Sequence, residues 1–362
     1  MTNLAKESST LGGDKHISMT NPQLPRFAPL LVAVIAWGLA ALIGIIALGG
    51  SIPGIVVVGW IIFVLALPAW SRAIEGPRRS TDRLVTALIW TTFAVAMLPL
   101  FAVLTTVVRR GAPALSAEFF TYSMDGVLGE GGGIYHAIMG TLIVTGIAAL
   151  ISVPIGVLAA IYLVEYGKKN RLSQVLTFLV DVMTGIPSIV AGLFALAVFT
   201  LLFGPGTRMG VAGSVALSVL MIPIVVRSTE EMLKLVPDEL REASYALGVS
   251  KWRTIVKVVL PTALGGIVTG VTLSIARVAG ETAPLLLTCG VLRVTNFNPF
   301  DGAMQTLPVF IFSQATSGGL ARYVPFQVER AWGAALVLII IVMALNLLAR
   351  VIGSIFSPKT GR

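Results

Sequence analysis

Long apolar runs alternate with short polar breaks along almost the whole chain, and the runs are too unbroken to be one face of a water-soluble helix. Eight stretches read as membrane spans: Phe27 to Leu48, Ile52 to Trp70, Leu84 to Val108, Ile134 to Val164, Leu172 to Phe203, Val211 to Val226, Thr262 to Cys289 and Ala331 to Ala349. A spanning helix needs roughly 20 mostly apolar residues. The second and sixth are short, which predicts less tilt or extension into flanking polar residues. The fourth and fifth exceed a bilayer, which predicts a bend at Pro154 or Pro187, or an overhang into water. The expected fold class is all-α, a polytopic membrane helix bundle.

Composition agrees with the pattern: of 362 residues, 56% are hydrophobic and 12% charged, and the mean hydropathy is +0.91. A net charge of +9 would suggest nucleic acid in a soluble protein, but here the basic residues follow the membrane. With the amino terminus inside and an even number of spans, 19 of the 26 Lys and Arg residues fall in inside segments. These are Lys6, Lys15, Arg26; Arg72, Arg78, Arg79, Arg83; Lys168, Lys169, Arg171; Arg227, Lys234, Arg241, Lys251, Arg253, Lys257; and Arg350, Lys359, Arg362. The outside holds Arg109, Arg110, Arg208, Arg293, Arg322 and Arg330, with no lysine. The asymmetry predicts both termini in the cytoplasm. The first 26 residues are polar and the run after them lacks a small-residue cleavage signature, so a retained span without a signal peptide is expected.

Several chemistries find no support. One cysteine, Cys289, rules out an internal disulfide, and two histidines, His16 and His136, cannot build a Cys/His metal cluster. There is no G-x-x-x-x-G-K-[ST] phosphate loop, G-x-S-x-G or H-E-x-x-H, so neither ATP binding nor catalysis by this chain is expected, and no cofactor. The GEGGG run at Gly129 to Gly133 reads as a flexible or tightly turned external loop. Asp181 reads as a capping or packing carboxylate near the inner mouth.

One polar segment is too long for a simple connection: DELREASYALGVSKWRTIVKVVLP, Asp238 to Pro261. Pro237 suits the first turn of a helix, Gly248 the left-handed residue that ends one, and Ser250 a cap before Lys251, which predicts helix, turn, helix. Leu240, Ala243 and Leu247 recur at offsets of 3 and 4, on one face. Such a face suits a partner's groove, and a hairpin lying on the bilayer surface is the alternative.

Arg277 and Glu281 stand inside the seventh apolar run. Charges at membrane depth face a bundle interior or a wet path, and a spacing of four would let the two pair on one helical face. A transport role and a packing ion pair are both compatible with that spacing. Arg227 closes the sixth run; a guanidinium there suits an oxyanion or a positive-inside anchor.

The order and gaps of Glu242-Ala243-Ser244, Gly248 and Val258-Val259-Leu260-Pro261 resemble the cytoplasmic EAA loop of ABC importer permeases, with Ser244 for the second alanine and Val258 for isoleucine. Further stretches, GETAPLLLT from Gly280, TGIPSIVAGLF from Thr184, LPVFIF from Leu307 and AWGAALVLIIIVMALNLLAR from Ala331, are similar to the PstA-type permeases of phosphate importers. The resemblance runs from about Leu84 to Arg350. It implies a type I importer core of six spans moving inorganic phosphate, with sulfate or molybdate as the alternative cargo, and no catalysis of its own. It implies a PstC-type permease, a PstB-type ATPase dimer and an extracytoplasmic phosphate-binding protein as partners. It assigns Leu240, Glu242, Ala243, Ser244, Gly248, Leu260 and Pro261 to ATPase coupling, and Arg227, Arg277 and Glu281 to the substrate path. The expected organisation is a cytoplasmic tail at 1–26, an extra hairpin with a basic linker at 27–83, the permease domain at 84–352 with its EAA loop at about 228–261, and a cytoplasmic tail at 353–362.

Overall fold

The computed structural model describes residues 23–25, 27–47, 50–167, 170–316 and 321–356. Lys6, Lys15, His16, Arg26, Lys168, Lys169, Lys359 and Arg362, and most of both predicted tails, lie outside the described residues. The elements are α1 (Ala28–Ala47), α2 (Ile52–Ile74), α3 (Pro77–Gly111), α4 (Ala117–Thr121), α5 (Tyr135–Ile161), α6 (Arg171–Thr184), α7 (Ser188–Phe203), α8 (Gly210–Lys234), α9 (Asp238–Ala246), α10 (Lys251–Thr254), α11 (Leu260–Val278), α12 (Ala283–Thr288), α13 (Leu307–Thr316) and α14 (Val324–Phe356). Among the described residues there is no strand, and seven helices are long and apolar enough to cross a membrane, or eight if the bent pair α6–α7 is one span.

The length mismatches resolve in three ways. α2 and α8 extend into polar residues, as their short apolar runs predicted. α5 passes through Pro154 without breaking and continues as a π turn, Tyr162–Tyr166. This makes 32 helical residues, about 48 Å at 1.5 Å per residue against a hydrocarbon core of about 30 Å, so the end of α5 overhangs. The predicted fifth span instead breaks at Gly185-Ile186-Pro187, where α6 and α7 meet at 107°. Pro187 has no amide to donate and holds φ at −58°, ending one helix and starting the next.

By its contacts the chain divides into residues 1–103 and residues 104–362. In the first unit the predicted basic linker is helical: α2 runs to Ile74, Gly76 turns the chain at φ 91°, and α3 begins at Pro77. Ser80 donates to the carbonyl of Pro68 at 2.7 Å, closing the α2–α3 corner.

In the second unit α8 is the central helix, packed on α5 by hydrogen bonds from Ser214 Oγ to the Val144 carbonyl (3.0 Å) and from Ser218 Oγ to that of Ala148 (3.4 Å). Val144, Ala148, Leu217, Met221 and Val225 are fully buried along this seam. α11 approaches α8 at two glycines: a Cβ on Gly266 would stand 2.2 Å from Met232 Sδ, and one on Gly270 2.6 Å from Ser228 Cβ. Helices that share no water-driven attraction gain from such close backbone approach.

Candidate functional site

The hairpin has the predicted helix-turn-helix form. Pro237 precedes α9 directly, and Gly248 takes φ 74° between α9 and α10. Ser250 occupies the cap position of α10, but its side chain makes no capping bond; its carbonyl accepts from Thr254 instead. Ser244 is buried, and its Oγ lies 2.9 Å from Thr254 Oγ1, so it holds the two short helices together and is not on their outer face. Leu240 and Leu247 are 41% and 83% exposed, and Glu242, Ala243 and Trp252 are exposed as well. The outer face of α9 is thus apolar at Leu240, Ala243 and Leu247 and charged at Glu242.

The second helix of the hairpin has no joint with the bundle. Residues Lys251–Val278 are helical throughout, 28 residues, with a π turn at Ile255–Val259 and Pro261 just beyond it. Proline in a helix interior removes one hydrogen bond and crowds the preceding turn, and the wider π turn accommodates both. Leu260 and Pro261 therefore lie within one rod of about 42 Å.

Three residues beyond those expected from the sequence bind the hairpin to the overhanging end of α5. Arg241 of α9 donates from Nε (3.1 Å) and Nη2 (2.9 Å) to Glu165 Oε1. It also donates to the carbonyls of Leu233 (2.9 Å) and Val236 (2.6 Å) and to Asp238 Oδ1 (3.2 Å). The side chains of Arg241 and Glu165 are 12% and 5% exposed. Lys251 of α10 donates to the Glu165 carbonyl and lies 4.6 Å from the centroid of the Tyr166 ring, which stacks on Tyr162. Both helices of the hairpin are thus tied to one π turn. A carboxylate that directly precedes Lys251's aromatic partner but belongs to no linear motif leaves no sequence signal; only the overhang of the fourth apolar run hinted at a contact there.

Arg227, near the end of α8, is ion-paired to Asp181 of α6 and to Glu230 of its own helix at 2.8 Å, and Glu230 also accepts from Lys234 at 2.7 Å. The lone Asp181 of the sequence is therefore an ion-pair partner on α6 rather than a cap, and a second carboxylate shares its guanidinium.

Arg277 and Glu281 depart from the expected geometry. α11 ends at Val278, and Glu281 lies in the turn before α12, its amide donating to the Val278 carbonyl at 3.1 Å. The i,i+4 argument requires a continuous helix, and among the described residues no ion pair joins the two. Arg277 is exposed on the surface of this single chain, while Glu281 is half-buried.

The glycine run at Gly129 to Gly133 is tightly turned, not loose. Gly131 and Gly132 have φ 82° and 77°, and buried Arg330 donates from Nη1 to the carbonyls of Gly129 (2.7 Å) and Gly131 (3.0 Å). Among the described residues no group of three or more His, Cys, Asp or Glu side chains is placed to hold a metal.

The family model of binding-protein-dependent transport system inner membrane components matches residues 152–362. The chain is 47% identical to the phosphate transport system permease protein PstA 1 of Mycobacterium tuberculosis over 288 residues, 79% of this chain and 92% of that one. It is 47% identical to PstA of Mycobacterium leprae over 279 residues, 76% and 90% of the two chains. With PstA of Pasteurella multocida it shares 40% over 287 residues, 79% and 97% of the two.

Proposed function

The chain belongs to the binding-protein-dependent transport system inner membrane components, among the PstA phosphate transport permeases, and from this we propose that it forms one half of the membrane pathway of an ATP-driven importer of inorganic phosphate. Identity of 47% across 92% of a PstA permease carries the cargo reading. It is a multi-pass inner membrane permease subunit; both termini face the cytoplasm in the orientation that the basic residues favour.

The remaining parts of the machine are other polypeptides: a PstC-type permease beside this one, a PstB-type ATPase dimer below it and an extracytoplasmic phosphate-binding protein above. The exposed face of Leu240, Glu242, Ala243 and Leu247 is the surface offered to the ATPase, with Gly248 and Ser244 setting its shape. Arg277 is open to a neighbouring permease and supplies a guanidinium to the anion path, with Glu281 nearby in the following turn. Arg227 sits at the inner end, balanced by Asp181 and Glu230, where an arriving anion would compete for a guanidinium that these carboxylates already occupy.

ATP-dependent uptake of labelled phosphate and sulfate into vesicles containing all four kinds of subunit tests the reading. Phosphate uptake in excess of sulfate is expected; sulfate or molybdate uptake that phosphate fails to inhibit would replace phosphate as cargo.

A further inference from the structure

The first unit contains a cavity of about 720 Å³, within the range of small-molecule sites. Its walls change character along its length. One end is apolar and aromatic, with Trp60, Phe63 and Trp90, and the other is charged, with Glu75, Arg79, Asp82 and Arg83. On α3 Trp90 is 11 residues beyond Arg79, about 16 Å at 1.5 Å per residue, close to the depth of one leaflet of hydrocarbon, about 15 Å. The aromatic wall is held in place: Trp60 Nε1 donates to Thr91 Oγ1 at 2.7 Å, and Trp60, Phe63 and Trp37 pack ring against ring.

The charged end is not simply basic. Glu75 is saturated: it accepts from Arg83 Nε (2.8 Å) and Nη2 (2.9 Å), from Ser71 Oγ (2.7 Å) and from the Leu24 amide (2.8 Å). Arg79 touches it only at 3.8 Å and keeps 44% of its side chain exposed. Asp82 is exposed and joins none of the ion pairs among the described residues. Arg79 and Asp82 are three residues apart on α3, neighbours on one helical face. The cavity therefore presents one spare cation and one spare anion side by side at the end of an acyl-length apolar groove.

We propose that this groove binds a zwitterionic aminophospholipid, with the phosphate on Arg79, the primary ammonium on Asp82 and one acyl chain along Trp60, Phe63 and Trp90. A phosphate and an ammonium joined by two carbons match a cation and a carboxylate that are helical neighbours. A purely anionic headgroup would meet Asp82, and a quaternary ammonium has no N–H to donate to it. The site is independent of what the bundle carries, and it gives the extra N-terminal hairpin a lipid partner.

The test is native mass spectrometry of the full chain offered equimolar dioleoyl phosphatidylethanolamine, phosphatidylglycerol and phosphatidylcholine. Retention of the ethanolamine lipid is expected to exceed that of either other by about threefold, the effect of a partly exposed ion pair. Asp82→Asn should abolish the preference for phosphatidylethanolamine over phosphatidylcholine, and Arg79→Gln should weaken all three lipids; both positions are exposed, so folding is not at risk. Preferential phosphatidylglycerol retention unaffected by Asp82→Asn would mean non-specific attraction to surface arginines and would overturn the proposal. Equal retention of all three lipids would overturn it as well. So would adducts that appear only after removal of residues 2–20, because the groove would then be filled by the chain's own terminus.

Discussion

Arg241 of the α9–α10 hairpin and Glu165 in the π turn that continues α5 are 76 residues apart in sequence and joined by two hydrogen bonds to one carboxylate oxygen, 2.9 and 3.1 Å long. Removing one partner of an enclosed ion pair leaves the other charge uncompensated, an effect of up to 3–5 kcal/mol when burial is complete. Glu165→Gln keeps the shape and loses the charge. We expect the assembled importer to retain ATP hydrolysis while phosphate moved per ATP falls about tenfold or more, since a tie worth about 1.4 kcal/mol corresponds to a factor of ten. Arg241→Lys should behave alike, because a single ammonium cannot reach Glu165 and the carbonyls of Leu233 and Val236 together. Uptake and hydrolysis reduced in parallel would assign the pair to folding alone.

Gly248 supplies a conformation and not a space. Nothing lies within 4 Å of where its Cβ would be, yet φ is 74°. Non-glycine residues enter that region at roughly 1–2 kcal/mol, and β-branched ones with more difficulty. Co-purification with the ATPase subunit should therefore fall in the order Gly, Asn, Ala, Val at this position. A crowding effect would instead follow side-chain volume and place Ala ahead of Asn.

The sequence made the span pattern, the hairpin and its turn glycine legible because each rests on local rules: apolar run length, proline before a helix, glycine after one. It misplaced Arg277 against Glu281 because the apolar run continues past Val278 while the backbone does not, and hydrophobicity alone cannot distinguish a span from a span followed by a turn and α12. It missed Glu165 and Arg241 because their meeting depends on the overhang of α5 and the direction of α9, neither of which is written in any one segment. Asp181 was seen but not its partner, since the 107° break that carries α6 away from α7 sets where it points.

Glu75 gives the N-terminal unit a pH signature. Hydrogen bonds from Arg83 first, then from Ser71, hold its carboxyl at about 2, below the ordinary value of 4.5. A depressed acid stabilises the fold fully above its unfolded pKa and loses that contribution as pH falls toward the folded value. Thermal unfolding in detergent should show a stability contribution that is constant above about pH 5 and declines between 4.5 and 2. Glu75→Gln should lower the plateau and flatten that part of the profile; an unchanged slope would mean other carboxylates dominate it.

Arg277 and Glu281 provide a test between a path residue and a packing pair. With Glu281 beyond the end of α11 and no ion pair between them among the described residues, Arg277→Gln should not be rescued by Glu281→Gln. Arg277→Lys should retain little phosphate uptake, because a point charge does not replace a planar fork at an oxyanion. Recovery in the double variant at normal membrane levels would show coupling and favour mutual neutralisation.

Motion of the hairpin should reach Arg277 undamped. Lys251–Val278 is one helix, and a helix of 28 residues transmits displacement at one end as tilt or rotation at the other unless a joint absorbs it. The only irregularity is the π turn at Ile255–Val259, whose Ile255 and Val259 are fully buried against the bundle, so it is packed rather than hinged. On the proposed docking of an ATPase subunit at the hairpin, nucleotide that binds the docked state better shifts the population toward it, and that state should open the path outward. Cys289 is buried and is replaced by serine to provide a thiol-free chain. Single cysteines along Ser274 to Glu281 should then change their reactivity toward an external thiol reagent when nucleotide is trapped in the assembled complex. The same variants carrying Glu165→Gln should lose part of that change, because the hairpin is then free to slip against α5. Reactivity that is identical with and without trapped nucleotide at every position would mean that the rod does not move, and the coupling would have to run through α8 instead.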